Sequence, residues 1–213
     1  TERGTLSVIR TKNNINLYRT KSDEYYRMYN YVDNAKTYDK SENAEMFYNV
    51  GKAFGHFVKV LNGYPMDKLT ETIPNFHNSK VRLGDFLKDV KKDPCNRVKD
   101  VLSEIVYIIQ RQDELSSIVD LMAKGEIPLR VTHNDTKINN VLIDEKTNKA
   151  ICVIDLDTVM PGSALYDFGD AIRSGAATTF EDDPNLENVG INMEYFKRFT
   201  EAYLSETKEI LLQ

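Results

Sequence analysis

The stretch Val131-Thr132-His133-Asn134-Asp135-Thr136-Lys137-Ile138-Asn139-Asn140-Val141-Leu142-Ile143 is followed, after the polar residues 144–149, by Ala150-Ile151-Cys152-Val153-Ile154-Asp155-Leu156-Asp157. Three short apolar runs, Leu129 to Val131, Val141 to Ile143 and Ala150 to Ile154, read as β-strands, with Asp144 to Lys149 as the turn between the last two. Carboxylate and amide groups stand at the strand edges. A buried strand has no packing reason to end in Asp, whereas an acid held at such an end is well placed to face a ligand or a metal. The turn folds the chain back, so Asn140 and Asp155 approach one another. Two oxygen donors that close suit Mg²⁺, which takes one or two protein oxygens and leaves its other positions to water and phosphate.

Phosphoryl transfer needs an oriented hydroxyl, a metal bridging the phosphates and charge neutralisation as the bond breaks. Asp135 suits the first task, and Asn140 with Asp155 the second. The order H-x-D-x-x-x-x-N, then a hairpin, then an Asp after an apolar strand follows the logic of a kinase catalytic loop. Asp157, two residues beyond Asp155, points to the same side if strand geometry persists, as a second metal contact or as a group that orients the first.

Outward from this segment the character changes twice. Residues 5 to 33 contain three strand-like runs, Leu6 to Arg10, Ile15 to Arg19 and Tyr25 to Val32, separated by turn-forming Lys12-Asn13-Asn14 and Lys21-Ser22-Asp23. Near residue 40 the pattern becomes helical. Ser41 is the expected cap, and Phe47, Val50, Phe54, Phe57, Val58 and Leu61 follow three-and-four spacing; His56, between Phe54 and Phe57, reads as a packing residue. Residues 63 to 94 hold three of the six prolines and read as loop, with a short helix at Leu83 to Val90. A long helix is predicted from an Asp93 cap and Pro94 to Gly125. A further helix follows Pro161-Gly162, and Met193 to Gln213 is helical to the end.

The chain has 213 residues, 41% apolar and 29% charged, enough to bury a substantial core. A net charge of -5 argues against broad nucleic-acid binding. Cys95 and Cys152 have no metal-knot spacing. No apolar run reaches the roughly 20 residues that span a bilayer, and Thr1-Glu2-Arg3-Gly4 is no secretory signal, so a cytoplasmic protein without membrane partners is expected. Composition leaves the oligomeric state open.

The catalytic segment resembles the core of the aminoglycoside phosphotransferase and choline kinase superfamily, in which a His-x-Asp loop ending in Asn precedes an Ile-Asp strand end. His133 to Leu142, Ile154 to Gly162 and Tyr166 to Arg173 are most similar to the N-acetylhexosamine 1-kinase branch, and the resemblance covers roughly residues 5 to 205. It implies an α+β, protein-kinase-like fold: residues 1-33 as a remnant of the β-rich small lobe and hinge, and residues 34-213 as the mostly helical large lobe. By the resemblance Asp135 is the catalytic base or hydroxyl-orienting group and His133 braces the loop beside it; Asn140 and Asp155 hold Mg²⁺ and the phosphates of ATP. Asn30, Tyr31 and Val32 resemble the hinge whose backbone meets the adenine.

The implied function is transfer of the γ-phosphate of ATP to a hydroxyl of a small sugar, an N-acetylhexosamine at its anomeric position. Aminoglycoside kinases, choline- or ethanolamine-type kinases and a catalytically silent binding module are the alternatives; the lack of Trp weighs against an aromatic cage for a quaternary ammonium. Substrate-binding candidates are Asp170, Arg173 and His77. For Asp167, Asp170 and Arg173 a buried ion pair competes with that role, and for Phe76-His77-Asn78 a surface turn does. Glu181-Asp182-Asp183 reads as a solvated loop. The glycine-rich loop and strand lysine of a complete kinase do not occur before residue 51. The expectation is a chain truncated at both ends, inactive by itself.

Overall fold

The computed structural model describes residues 3–211. It opens with a ribbon of four two-residue strands: β1 (Val8–Ile9), β2 (Tyr18–Arg19), β3 (Tyr25–Tyr26) and β4 (Met28–Tyr29). β1 pairs antiparallel with β4 and β2 with β3. Asn14 and Asp23, both with positive φ, close the turns. The single strand expected over Tyr25 to Val32 is thus divided at Arg27. Its first half pairs with residues 18–19 and its second with residues 8–9, because residues 11–15 form a turn of their own in between. Arg27 sits at the switch, outside the ladder.

β5 (Ala35–Lys36) leads into α1 (Ala44–Val60). The cap is Asn43, whose Oδ1 accepts the N–H of Met46 at 2.8 Å, and not Ser41, whose hydroxyl donates to Asn43 O. The apolar stripe expected on this helix is its buried face: Phe47, Val50, Phe54 and Val58 are core residues. His56 departs from expectation, being exposed and facing Glu206 at 3.7 Å. The short helix expected at Leu83 to Val90 is the middle of a longer one, α2 (Ser79–Lys92), started by Asn78 through its side-chain bond to the N–H of Val81. None of its residues is fully buried, and its ends, Ser79-Lys80 and Lys91-Lys92, are polar, so only the middle carried an apolar period.

The predicted long helix is broken. Asp93 ends α2 in a left-handed conformation (φ 38), and its carboxylate accepts the N–H groups of Arg97 and Val98 at 2.8 and 3.2 Å. Two helices follow, α3 (Leu102–Gln110) and α4 (Gln112–Ala123), separated at Arg111.

Two small sheets frame the central segment. β6 (Arg130–Thr132) and β9 (Met160–Gly162) pair antiparallel, and β7 (Val141–Asp144) lies between β5 and β8 (Ala150–Val153). α5 (Ala164–Gly175), capped by Ser163, and α6 (Met193–Leu211) follow; the last two positions of the helix expected to Gln213 lie outside the described residues. Among the described residues no helix is long and apolar enough to cross a membrane.

The core is built on α1 against α6. Phe47 meets Phe199 with ring centroids 4.9 Å apart, Phe199 stacks on Tyr203 at 5.9 Å, and Phe168 of α5 adds edge contacts to both. Gly51 and Gly55, one turn apart on α1, let the α6 backbone come close: a Cβ on Gly51 would lie 2.7 Å from Phe199 O, and one on Gly55 2.9 Å from Tyr203 O. A side chain at Gly51 has to push two helices apart. Gly51→Ala is therefore expected to destabilise the protein by about 1–3 kcal/mol, lowering Tm by roughly 2–4 °C per kcal/mol, as measured by thermal denaturation. An unchanged Tm would mean that the α1–α6 contact is looser than described.

Candidate active site

The segment from Thr132 to Asn140 connects the two sheets, and Thr132, His133, Asn134, Thr136 and Asn140 are all buried. Polar side chains at such depth have to be satisfied internally. Asn134, in the left-handed region at φ 65, turns its amide inward: Oδ1 accepts from Thr132 Oγ1 at 3.0 Å and Nδ2 donates to Thr158 O at 2.9 Å. Thr158 Oγ1 donates in turn to His133 O at 2.7 Å. The loop is thereby knitted to the segment that follows Asp155.

Asp167, in the first turn of α5, holds the loop from beneath. Its carboxylate accepts the backbone N–H of His133 at 2.9 Å and of Asn134 at 2.7 Å, while Thr136 Oγ1 donates to its backbone carbonyl at 2.5 Å. Burial pushes this carboxyl up to about 7, against the opposing pull of the two N–H donors. The ion pair weighed between Arg173 and one of these acids forms with Asp170 and not with Asp167: Arg173 pairs with Asp170 and with Glu181, each at 2.8 Å. Asp170 Oδ2 is left buried, with no donor among the described residues.

His133 is fully buried, with Phe54 and Phe57 edge-on to its ring at 5.7 and 5.6 Å. Its Nε2–H donates to Ile154 O at 2.9 Å, since a carbonyl can only accept, and its Nδ1 accepts the N–H of Asp135 at 3.3 Å. Both nitrogens are used, and burial holds the imidazole below its ordinary pKa. It is a neutral brace.

Asp135 is partly exposed at the tip of the loop. Asn140 Nδ2 donates to its backbone carbonyl at 2.8 Å and to its Oδ2 at 3.1 Å, and Lys137 Nζ lies 3.9 Å from Oδ1. With Nδ2 committed to Asp135, Asn140 Oδ1 has no donor among the described residues. The backbone carbonyl of Asn140 accepts the N–H of Ile154 at 2.9 Å, which brings the residue before Asp155 onto Asn140. The Ile154 residue is gripped at both its N–H and its C=O. Asp155 follows in the left-handed region (φ 57, ψ 61), an uncommon conformation for a non-glycine residue. Its carboxylate is exposed and has no hydrogen-bond partner among the described residues. Asn140 Oδ1 and the Asp155 carboxylate are two hard oxygens left open, the donor chemistry that Mg²⁺ takes.

Asp157 is ion-paired with Arg27, which reaches across from the ribbon. Asn30 gives its N–H to Ser7 O at 2.9 Å, whereas the backbone groups of the exposed Tyr31 and of the neighbouring Val32 have no partner among the described residues. His77 is away from the Asp135 carboxylate but bonds the loop itself, through Asn134 O at 3.0 Å. Beside it opens a pocket of about 350 Å³ lined by Phe76, His77, Met122, Asn134, Pro161 and Tyr166 among others. Lys137 and the supporting role of Asp167 were missed in the sequence; the available signal was the unbroken polar run from Thr132 to Lys137 between apolar strands.

Two measurements check the support beneath the loop. A folded-state pKa above the ordinary carboxyl value means that the fold favours protonated Asp167, so its contribution to stability is complete below about pH 4 and falls as pH rises through about 7. Carboxyl ¹³C NMR is expected to show Asp167 titrating near 7; a value near 4 would contradict the burial argument. Asp167→Ala leaves two buried N–H groups unpaired, at about 1–3 kcal/mol each, which urea denaturation would register.

Comparison with known proteins places this geometry. Three solved structures share the fold: a microcompartment-associated aminopropanol kinase (15% identity, TM-score 0.53, covering 95% of this chain and 59% of that one), an amicoumacin kinase in complex with AMP-PNP and Ca²⁺ (12%, 0.54, 95% and 57%) and an ethanolamine kinase of Plasmodium vivax (15%, 0.53, 92% and 55%). This chain thus spans less than two thirds of the length of each. The fold is α+β and protein-kinase-like. The family model described as the phosphotransferase enzyme family matches residues 13–206, from the ribbon through the catalytic loop into α6, and the chain belongs to that family.

Proposed function

We propose that the protein is an ATP-dependent phosphotransferase that moves the γ-phosphate to a hydroxyl of a small molecule, a sugar such as an N-acetylhexosamine at its anomeric position. One observation carries this reading. A partly exposed Asp135 carboxylate, fixed by Asn140 and flanked by Lys137, stands on the loop whose Asn140 carbonyl takes the N–H of Ile154, the residue before Asp155, and Asn140 Oδ1 and the Asp155 carboxylate have no donors among the described residues.

Asp135 accepts the hydrogen of the acceptor hydroxyl, aims its oxygen at the γ-phosphorus and takes up the proton as the new O–P bond forms and the bond to the ADP oxygen breaks. Lys137 offsets charge on the transferring group. Asn140 and Asp155 would hold Mg²⁺, which when bound would offset the charge of the phosphates. His133 fixes the backbone at both Asp135 and Ile154, so the hydroxyl-orienting acid and the metal-binding acid keep their separation. The open backbone groups of Tyr31 and Val32 suit an adenine edge, with residues 3–33 on the small-lobe side and residues 34–211 forming the large lobe. Nucleotide and divalent ion occur together in the amicoumacin kinase complex, which supports the same pairing here.

The pocket beside the loop favours a neutral ring over a polycation. Its one carboxylate, Glu71, is engaged by the N–H of Asn75 at 3.0 Å, and its walls offer the faces of Phe76, His77 and Tyr166. A polycationic aminoglycoside calls for clustered acids instead.

The test is ADP release by the intact protein with Mg-ATP and N-acetylglucosamine, N-acetylgalactosamine, choline, ethanolamine or kanamycin. Stimulation by an N-acetylhexosamine is expected. Stimulation by choline, ethanolamine or kanamycin alone would move the acceptor class, and none by any of them would sink the small-molecule kinase reading. Asp135→Asn is expected to cut turnover by about 10²–10⁴-fold with Mg-ATP binding retained in calorimetry. Undiminished turnover in that variant would remove Asp135 from the mechanism.

A further inference from the structure

The peptide plane joining Asn134 to Asp135 is held at both ends by imidazoles. Its N–H, that of Asp135, donates to His133 Nδ1 at 3.3 Å, and its C=O, that of Asn134, lies 3.0 Å from Nε2 of His77. A carbonyl oxygen accepts only, so His77 presents Nε2–H to it. The His77 ring is wedged between Phe76 (centroids 4.5 Å apart) and Tyr166 (5.0 Å). Its rotation is therefore restricted, and its hydrogen-bonding edge is aimed at the loop.

The segment that carries His77 is itself pinned. Asn75 takes a left-handed conformation (φ 58) with its N–H on the Glu71 carboxylate, and Arg82 Nε donates to Phe76 O at 2.6 Å. Thr72 Oγ1 donates to Asp157 O at 2.8 Å. Residues 72–77 thus reach both halves of the site through backbone carbonyls, one residue before Asp135 and two residues after Asp155. Asn75, Phe76 and His77 of this segment line the 350 Å³ pocket.

We propose that His77 is a positioning residue for Asp135. It fixes the plane of the Asn134–Asp135 peptide, sets the direction in which the Asp135 carboxylate leaves the backbone, and ties that direction to the wall of the pocket beside the loop. The proposal rests on the reading of Asp135 as the hydroxyl-orienting group. It assigns His77 no proton transfer and no metal.

Two variants separate the hydrogen bond from the packing. His77→Phe keeps an aromatic ring between Phe76 and Tyr166 but has no donor, and His77→Gln places an amide N–H near the position of Nε2. In the intact protein with Mg-ATP and N-acetylglucosamine, His77→Phe is expected to lower kcat by about tenfold or more with KM for ATP nearly unchanged, and His77→Gln to recover most of that loss. Equal losses in both variants, or no loss in His77→Phe, would overturn the proposal.

A second arm needs no turnover. Amide hydrogen exchange on this chain is expected to show Asp135 exchanging about tenfold faster in His77→Phe than in the parent, with the amides of Phe54 and Phe199 unaffected. Unchanged exchange at Asp135 would overturn the proposal even if every acceptor proves active. Absence of turnover with all acceptors would sink the functional reading while this arm still decides the role of His77. Should His77→Phe fail to fold, His77→Leu is read in the same way.

Discussion

The buried carboxylate of Asp167 beneath the backbone of His133 and Asn134 is the contact on which the site depends. A loop that presents Asp135 to solvent has to pass through the protein interior without a regular ladder of its own, so its N–H groups need acceptors. Asp167 supplies both oxygens to two successive N–H groups, and Thr136 returns a hydroxyl to the Asp167 carbonyl. Removing such an acceptor leaves donors stranded where water does not reach, which costs more than the bond contributes when formed. The cost of burying the acid is visible in its pKa, raised to about 7. α5 is thereby bound to the loop, and through Phe168 to the aromatic core of α1 and α6.

From that base, rigidity passes to the two acids by short steps. Phe54 and Phe57 set the His133 ring on edge, and His133 holds the N–H of Asp135 on one side and the carbonyl of Ile154 on the other. Asn140 takes the N–H of Ile154 with its carbonyl and the Asp135 carboxylate with its amide. Asp155 can remain in an uncommon left-handed conformation because the residue before it is fixed at both polar groups. Among the described residues, Asn140 Oδ1 and the Asp155 carboxylate have no protein donors, and their neighbours Asp135 and Ile154 are held by hydrogen bonds. Preorganisation of this kind leaves little reorganisation for the moment of reaction.

Away from the core, large apolar side chains are exposed. The ribbon of residues 8–29 keeps Tyr18, Tyr25, Tyr26 and Met28 exposed, and α3 shows Leu102, Val106, Tyr107 and Ile109 to solvent. These are also the places where reading the sequence went furthest wrong. The stripe on α1 was legible because a buried face writes a three-and-four period into the chain. α2 buries no residue fully and its ends are polar, so its full length was not written, and the break at Arg111 inside an otherwise continuous apolar pattern follows from how two helices have to lie and not from a Gly or Pro. The split strand at Arg27 is similar: both halves have strand-forming residues, and only the pairing partners reveal the switch. His56, expected to pack, points outward because its neighbours Phe54 and Phe57 already occupy the inner face.

The sequence by itself determined the chemistry on offer. The spacing of His133, Asp135, Asn140 and Asp155 between short apolar strands is a local property, set by strand length and turn length, and a hairpin of that size brings Asn140 to Asp155 in whatever fold it enters. What only the tertiary structure decided is which polar groups are bound within the protein and which are left open. Asp167 and Asp170 are chemically alike and three residues apart. One faces the loop and becomes its support, and the other takes Arg173. His77 and His133 meet the same peptide from positions 56 residues apart in the chain. No local pattern encodes that meeting, because it depends on how α1, α2 and α5 pack around the loop.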